Sequence, residues 1–278
     1  MRTLAHIVRL GPTMKTLGAL VVVAMAGLVG CAGGQAADDE AQTSDLVGGK
    51  RDLRFAAVGY LTHADDGRFD AASPAVACGA TLVAPKVVVT AAHCVLAKPK
   101  GAWAFGTGDP GRAVTKVAEV HVHPRFHAEA QGPIDVTHAL RNFDVAVLVL
   151  EREVQGVKPA RLPEVAPKMD DKLTALGYSA RPSSKRRSTP ARVMFGIDLA
   201  GDPIFEVHPE RDSALCVADG DEGSAVVSGT DADPVLVGFY VGSVTQGFTD
   251  CVRGAQFLDG YESAYGYRDF ITGAIGAR

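Results

Sequence analysis

TAAHC, residues 90–94, is where a β-branched run ends in a histidine and a cysteine. Val87, Val88 and Val89 form the run, and CGATL at 78–82 opens a strand just upstream. Branched side chains lose rotamer freedom in a helix and pack well on a pleated surface, so both stretches read as strands. Taken alone, His93 beside Cys94 also fits a core imidazole packed against a structural disulfide. The surrounding chain separates the two readings.

Outward from this point, short β-type runs recur between Gly, Pro and Asp. FAAVGYLT (55–62), ATLVAPKVVVT (80–90), VTKVAEVHV (114–122) and VAVLVL (145–150) come first. KLTALGY (172–178), ARVMFGIDLA (191–200), SAVVS (224–228) and PVLVGFYV (234–241) follow. With no long amphipathic stretch between them, they predict an all-β antiparallel sandwich or barrel. Only the end reads as helix: Tyr267, Phe270, Ile271 and Ile275 fall on helical spacing within 261–275. The proline-rich stretch 157–171 reads as a linker between two halves, about 46–156 and 172–260.

The 278 residues are enough for a substantial core in one large or two small domains. With 28 basic and 32 acidic residues the net charge is −4, which gives no reason to expect nucleic acid as a partner. The first 45 residues stand apart. Arg2, Arg9 and Lys15 make a basic front, and residues 16–30 are uncharged and largely apolar. That run is shorter than the roughly 18–20 residues of a spanning helix, so it reads as an export signal. It ends in Leu28-Val29-Gly30-Cys31, which resembles the lipobox of bacterial lipoproteins. The resemblance implies cleavage before Cys31, lipid on its thiol and membrane anchoring in a bacterial cell envelope; an ordinary signal peptide cut near Ala32 or Ala36 is the alternative. Residues 31–45 form a polar tether too poor in apolar side chains to fold alone. With Cys31 set aside, Cys78, Cys94, Cys216 and Cys251 remain, an even number that suggests two disulfides in an exported chain. Three pairings are open.

TAAHC with CGATL upstream resembles the histidine segment of the trypsin-like serine peptidases, the chymotrypsin-fold family. Further matches follow in the family's order. Val120-His121-Val122-His123-Pro124 resembles the strand and turn after the histidine, and Asn142-Phe143-Asp144 the aspartate segment. Leu176-Gly177-Tyr178 resembles the turn that opens the second barrel, and Leu46-Val47-Gly48-Gly49 the mature N-terminus. Cys216 followed by Gly220-Asp221-Glu222-Gly223-Ser224 resembles the nucleophile segment. The resemblance implies two six-stranded antiparallel barrels, a C-terminal helix and an active site between the barrels. It also implies the pairings Cys78–Cys94 and Cys216–Cys251.

Peptide cleavage in this family needs a hydroxyl to attack, an imidazole to take its proton and a buried carboxylate to fix the tautomer. His93 and Asp144 match the second and third roles. Backbone N–H groups of Gly220 and Glu222 match the oxyanion hole. The nucleophile slot itself falls on Glu222, a weak nucleophile towards an amide, and the expectation is that Glu222 pairs with a charged His93 and raises its pKa. Ser224 is the alternative nucleophile, at the cost of displacing Asp221 from its matching place.

Other departures point the same way. Asp45 precedes Leu46, so trypsin-like activation, in which a freed amine at Leu46 pairs with Asp221, is not expected. Ala214 stands at the floor of the specificity pocket, which Ser243 also borders, so an acidic anchor for basic substrates is missing. His121, His123 and His127 lack a standard metal spacing, and no cofactor is called for. Lys185-Arg186-Arg187 reads as a solvated loop. The reading is an exported peptidase homologue that binds a protein or peptide in or near the inter-barrel cleft. Its rivals are an active serine endopeptidase and a metal-dependent role for His93, Asp144 and Glu222.

Overall fold

The computed structural model describes residues 49–70, 74–98, 100–126, 143–178, 185–199, 201–210, 220–243 and 259–276. All of them lie in the compact unit Gln42–Arg278. A two-residue strand, β1 (Lys50–Arg51), precedes six that close on themselves. These are β2 (Val58–Ala64), β3 (Cys78–Ala84), β4 (Val87–Thr90), β5 (Ala102–Thr107), β6 (Val114–Val122) and β7 (Ala146–Leu150). They form an antiparallel barrel in the order β2-β3-β4-β7-β6-β5. β4 and β7 are neighbours and are buried along their whole length. That is why both read as unbroken apolar runs rather than alternating ones.

The second barrel is built from β8 (Lys172–Gly177), β9 (Arg187–Leu199), β10 (Asp202–Pro209), β11 (Ala225–Thr230), β12 (Asp233–Ser243) and β13 (Asp259–Ser263). Its order is β9-β10-β13-β12-β11-β8, and pairing of β8 with β9 closes it. β1 adds to β9, with Lys50 opposite Ser188 and Arg51 opposite Arg187. The core of the first barrel continues through Leu176, Ala225, Val227, Leu236 and Phe239 of the second. The two barrels therefore share one apolar cluster, and the site lies where they meet. A disulfide joins Cys78 to Cys94 across a sequence separation of 16. Its removal by Cys78→Ser is expected to cost about 2–4 kcal/mol of unfolding free energy, read by guanidinium titration.

The terminal helix is shorter than its spacing suggested. α1 (Ala92–Leu96) is a single turn after β4, and α2 runs over Arg268–Gly276, not from 261. Residues 259–263 are instead strand β13, paired with both β10 and β12. Two flanking ladders and the burial of Tyr261 outweigh local preference there. Among the described residues, no helix is long and apolar enough to cross a membrane.

The expected solvated loop at Lys185-Arg186-Arg187 is corrected more sharply. Arg187 opens β9, and Arg186 is 0% exposed, the largest fully buried side chain among the described residues. Its Nε donates to the Asp52 carbonyl at 2.8 Å, and its Nη1 to those of Phe55 and Val58 at 3.0 and 2.6 Å. Nη2 donates to the carbonyl of Arg54. The chain from Asp52 to Val58 turns these carbonyls inward, and a guanidinium, with five donors and no acceptor, satisfies them.

Candidate active site

The site is assembled at the ends of β4, β7 and β8 and in the turn before β11. β4 ends at Thr90, whose hydroxyl donates to the Gly79 carbonyl at 2.8 Å. α1 then carries His93 onto the rim. Asp144, just before β7, holds His93 twice: Oδ1 accepts its backbone N–H at 2.8 Å, and Oδ2 lies 2.6 Å from Nδ1. A carboxylate only accepts, so the proton sits on Nδ1 and the neutral ring offers Nε2 as an acceptor.

Asp144 is itself positioned. Its N–H donates at 2.9 Å to Oε1 of Glu262, a buried acid on β13. The preceding Phe143 has φ +44°, an uncommon backbone for a bulky residue. Its ring stacks on His123 at 5.3 Å, and the Arg125 guanidinium lies 3.8 Å from its centroid. Cation–π attraction and stacking thus hold the conformation that aims Asp144 at the imidazole. Burial, with Arg125 nearby, pushes the His123 pKa down, which keeps that ring neutral in its stack.

The turn before β11 is tied to both barrels. Gly220 and Gly223 have φ +92° and +75°, a region open to glycine. The Glu222 carbonyl accepts from the Gly79 N–H at 2.7 Å, and the Gly223 N–H donates to the Tyr240 carbonyl at 2.7 Å. Asp221 is buried and accepts the Tyr178 N–H at 2.7 Å. A side chain at Gly223 would meet Thr90 Oγ1 at 2.3 Å, so the turn packs directly on the end of β4. The Glu222 side chain curls back: its Oε2 accepts the Gly220 N–H at 2.7 Å.

The expected ion pair between Glu222 and His93 does not form. The tight turn presents the Gly220 N–H to the carboxylate, which takes that donor instead. The charge still acts through space. Burial of the His93 ring opposes its protonation, but the hydrogen bond and charge of Asp144, with the charge of Glu222, outweigh it and raise the pKa above the ordinary 6.5. The stabilisation from this pair is therefore full below 6.5 and is lost as pH rises through the higher folded value. Imidazole resonances should show His93 titrating above that value, and Asp144→Asn should lower it more than Glu222→Gln, because it removes both a hydrogen bond and the nearer charge.

Ser224 is 3% exposed, and its hydroxyl has no hydrogen-bond partner. It packs on Gly79, where an added methyl would come 2.2 Å from Ser224 Oγ. It makes no bond to His93. Among the described residues the one grouping of possible metal ligands is Cys78, His93 and Cys94, and its two sulfurs are joined in the disulfide. Ser243 ends β12. Cys31, Leu46, His127, Ala214, Cys216 and Cys251 lie outside the described residues, so the second disulfide, the pocket floor and the Leu46–Asp221 pair do too. The sequence singles out neither Glu262 nor Arg125, and it places Phe143 in the aspartate segment without a role. The signal for Glu262 would have been an acid inside a strand, and that strand went unread.

Two closed antiparallel barrels with a histidine and an aspartate meeting between them define a chymotrypsin-like fold. The family model described as Trypsin matches residues 64–271, and the chain belongs to that family. It is 25% identical over 185 residues to a trypsin of Saccharopolyspora erythraea, covering 63% of this chain and 77% of that one. It is also 25% identical over 236 residues to the serine protease Hayan of Drosophila melanogaster, covering 73% of this chain and 35% of that one. Among solved structures it is similar to neuropsin, a serine protease of mouse brain, with TM-score 0.60, 18% identity and coverage of 80% and 95%. Human heparin binding protein is similar with TM-score 0.59, 18% identity and coverage of 84% and 97%.

Proposed function

We propose that this trypsin-family chain does not cleave peptides and acts by binding a protein or peptide in or near the cleft between its barrels. The support is the Glu222 carboxylate, which accepts the Gly220 N–H and whose charge reaches His93, in the residue that the sequence resemblance matches to the nucleophilic serine. An acid there attacks an amide poorly, and its charge raises the pKa of the imidazole that would serve as base. The absence of the hydroxyl alone removes roughly 10⁶ in turnover for such triads.

The His93–Asp144 pair alone speaks for one rival, an active endopeptidase with Ser224 as nucleophile, although that serine is buried and makes no bond to His93. A fluorophosphonate probe separates the two. The proposal expects no covalent label on the purified chain; labelling abolished by Ser224→Ala overturns it. The chain is exported in this reading and anchored by lipid on Cys31. The Cys78–Cys94 disulfide suits an oxidising compartment. Mass spectrometry of the N-terminal peptide from the native host tests the anchor, which unmodified Cys31 would refute.

A further inference from the structure

The oxyanion hole of a serine peptidase is vacant until a substrate carbonyl arrives and develops charge. In this chain its Gly220 donor already has an acceptor. We infer that the Glu222 carboxylate is a built-in anion of that hole, so the site is loaded from within and closed to a ligand's carbonyl. The inference rests on the reading of Gly220 as an oxyanion donor.

The geometry supports it at each atom. Gly220 stands at φ +92°, a backbone open to glycine, and its N–H donates to the side chain two residues on. The 2.7 Å contact to Glu222 Oε2 has the length of a charge-assisted bond. The backbone of the same residue is pinned by the Gly79 N–H at 2.7 Å, and the next N–H goes to the Tyr240 carbonyl at 2.7 Å. Tyr178 holds Asp221 from below. The carboxylate is thus delivered to the donor by a turn fixed on both sides, rather than by a freely rotating surface side chain.

Two consequences follow for the partner. A bound segment cannot gain the polarising contact that a substrate carbonyl makes, so its affinity comes from side chains and rim contacts. The turn also has its anion without any ligand, and its order does not wait for a substrate.

The test is proton and nitrogen resonance of the Gly220 amide in the full exported chain. In the parent, the Gly220 N–H should sit downfield, as expected for an amide bonded to a carboxylate, and Glu222→Gln should move it upfield by replacing the charged acceptor with a neutral one. Glu222→Ala should shift the amide upfield and speed its hydrogen exchange by roughly 10–100-fold, the loss of one charge-assisted hydrogen bond. Added acetate should then move the Gly220 resonance back in Glu222→Ala and leave the parent unchanged. A Gly220 amide that does not move in Glu222→Ala overturns the inference, as does acetate acting alike on both. Peptide cleavage by the parent would instead defeat the non-catalytic reading and leave the Glu222–Gly220 contact standing.

Discussion

Arg186→Ala is expected to destabilise the chain by about 3–5 kcal/mol, the largest single loss outside the barrel cores. The guanidinium is wholly buried, and among the described residues no carboxylate forms an ion pair with it. Its charge is held by the carbonyl dipoles of Asp52, Arg54, Phe55 and Val58. Removing it strands the Asp52 and Arg54 carbonyls away from water, at about 1–3 kcal/mol for each that finds no new donor. Phe55 keeps the Val58 N–H at 2.8 Å and Val58 the Tyr178 hydroxyl at 3.3 Å, which offsets part of the loss. At roughly 2–4 °C per kcal/mol for a domain of this size, melting should fall by about 6–20 °C. Arg186→Met keeps most of the stem packing and removes every donor, so it separates the hydrogen bonds from the volume. If Arg186→Met melts with the parent, the carbonyl cage contributes little to stability.

The cage also reaches the site. The segment it holds leads into β2, and Tyr178, whose hydroxyl touches the Val58 and Gly108 carbonyls, gives its own N–H to Asp221. Asp221 sits between Gly220 and Glu222. Loosening Arg186 is therefore expected to loosen the turn that presents Glu222, and the Gly220 amide should broaden or shift in Arg186→Met before global unfolding.

What the sequence made legible follows from how local each signal is. β6 was read at its observed ends, Val114 and Val122, and β4 and β7 were read as the runs flanking His93 and Asp144. Continuous branched residues announce a strand buried on both faces without reference to any partner. β5, β10 and β13 escape a local reading because they mix Gly, Pro or acids with aromatics, and each also pairs with a strand well away in the chain, β5 with β2, β10 with β13 and β13 with β12. The burial of Arg186 could not be read at all, since it depends on carbonyls more than 100 residues away in the chain. The family pattern located Glu222, but it could not say where the side chain turns. That required the turn's φ angles and the direction of one N–H.

If the non-catalytic reading holds, Glu222→Ser is expected to give a slow endopeptidase. The substitution changes two things at once. It supplies a hydroxyl where His93 can take the proton, and it removes the carboxylate from the Gly220 N–H. It also removes one of the charges that raise the His93 pKa, so a larger share of the imidazole is free base at a given pH. Restoring the hydroxyl alone is worth up to roughly 10⁶ in turnover. If one oxyanion donor is not used by the substrate, about 10²–10³ of that is lost, leaving about 10³–10⁴ above the parent. The readout is turnover of a fluorogenic peptide library together with fluorophosphonate labelling of the substituted position. His93→Ala in the same background should abolish both, which rules out a contaminating protease. Labelling without turnover would place the fault in substrate binding. The absence of both, in a variant that melts like the parent, would show that the acid at 222 is not what silences the cleft.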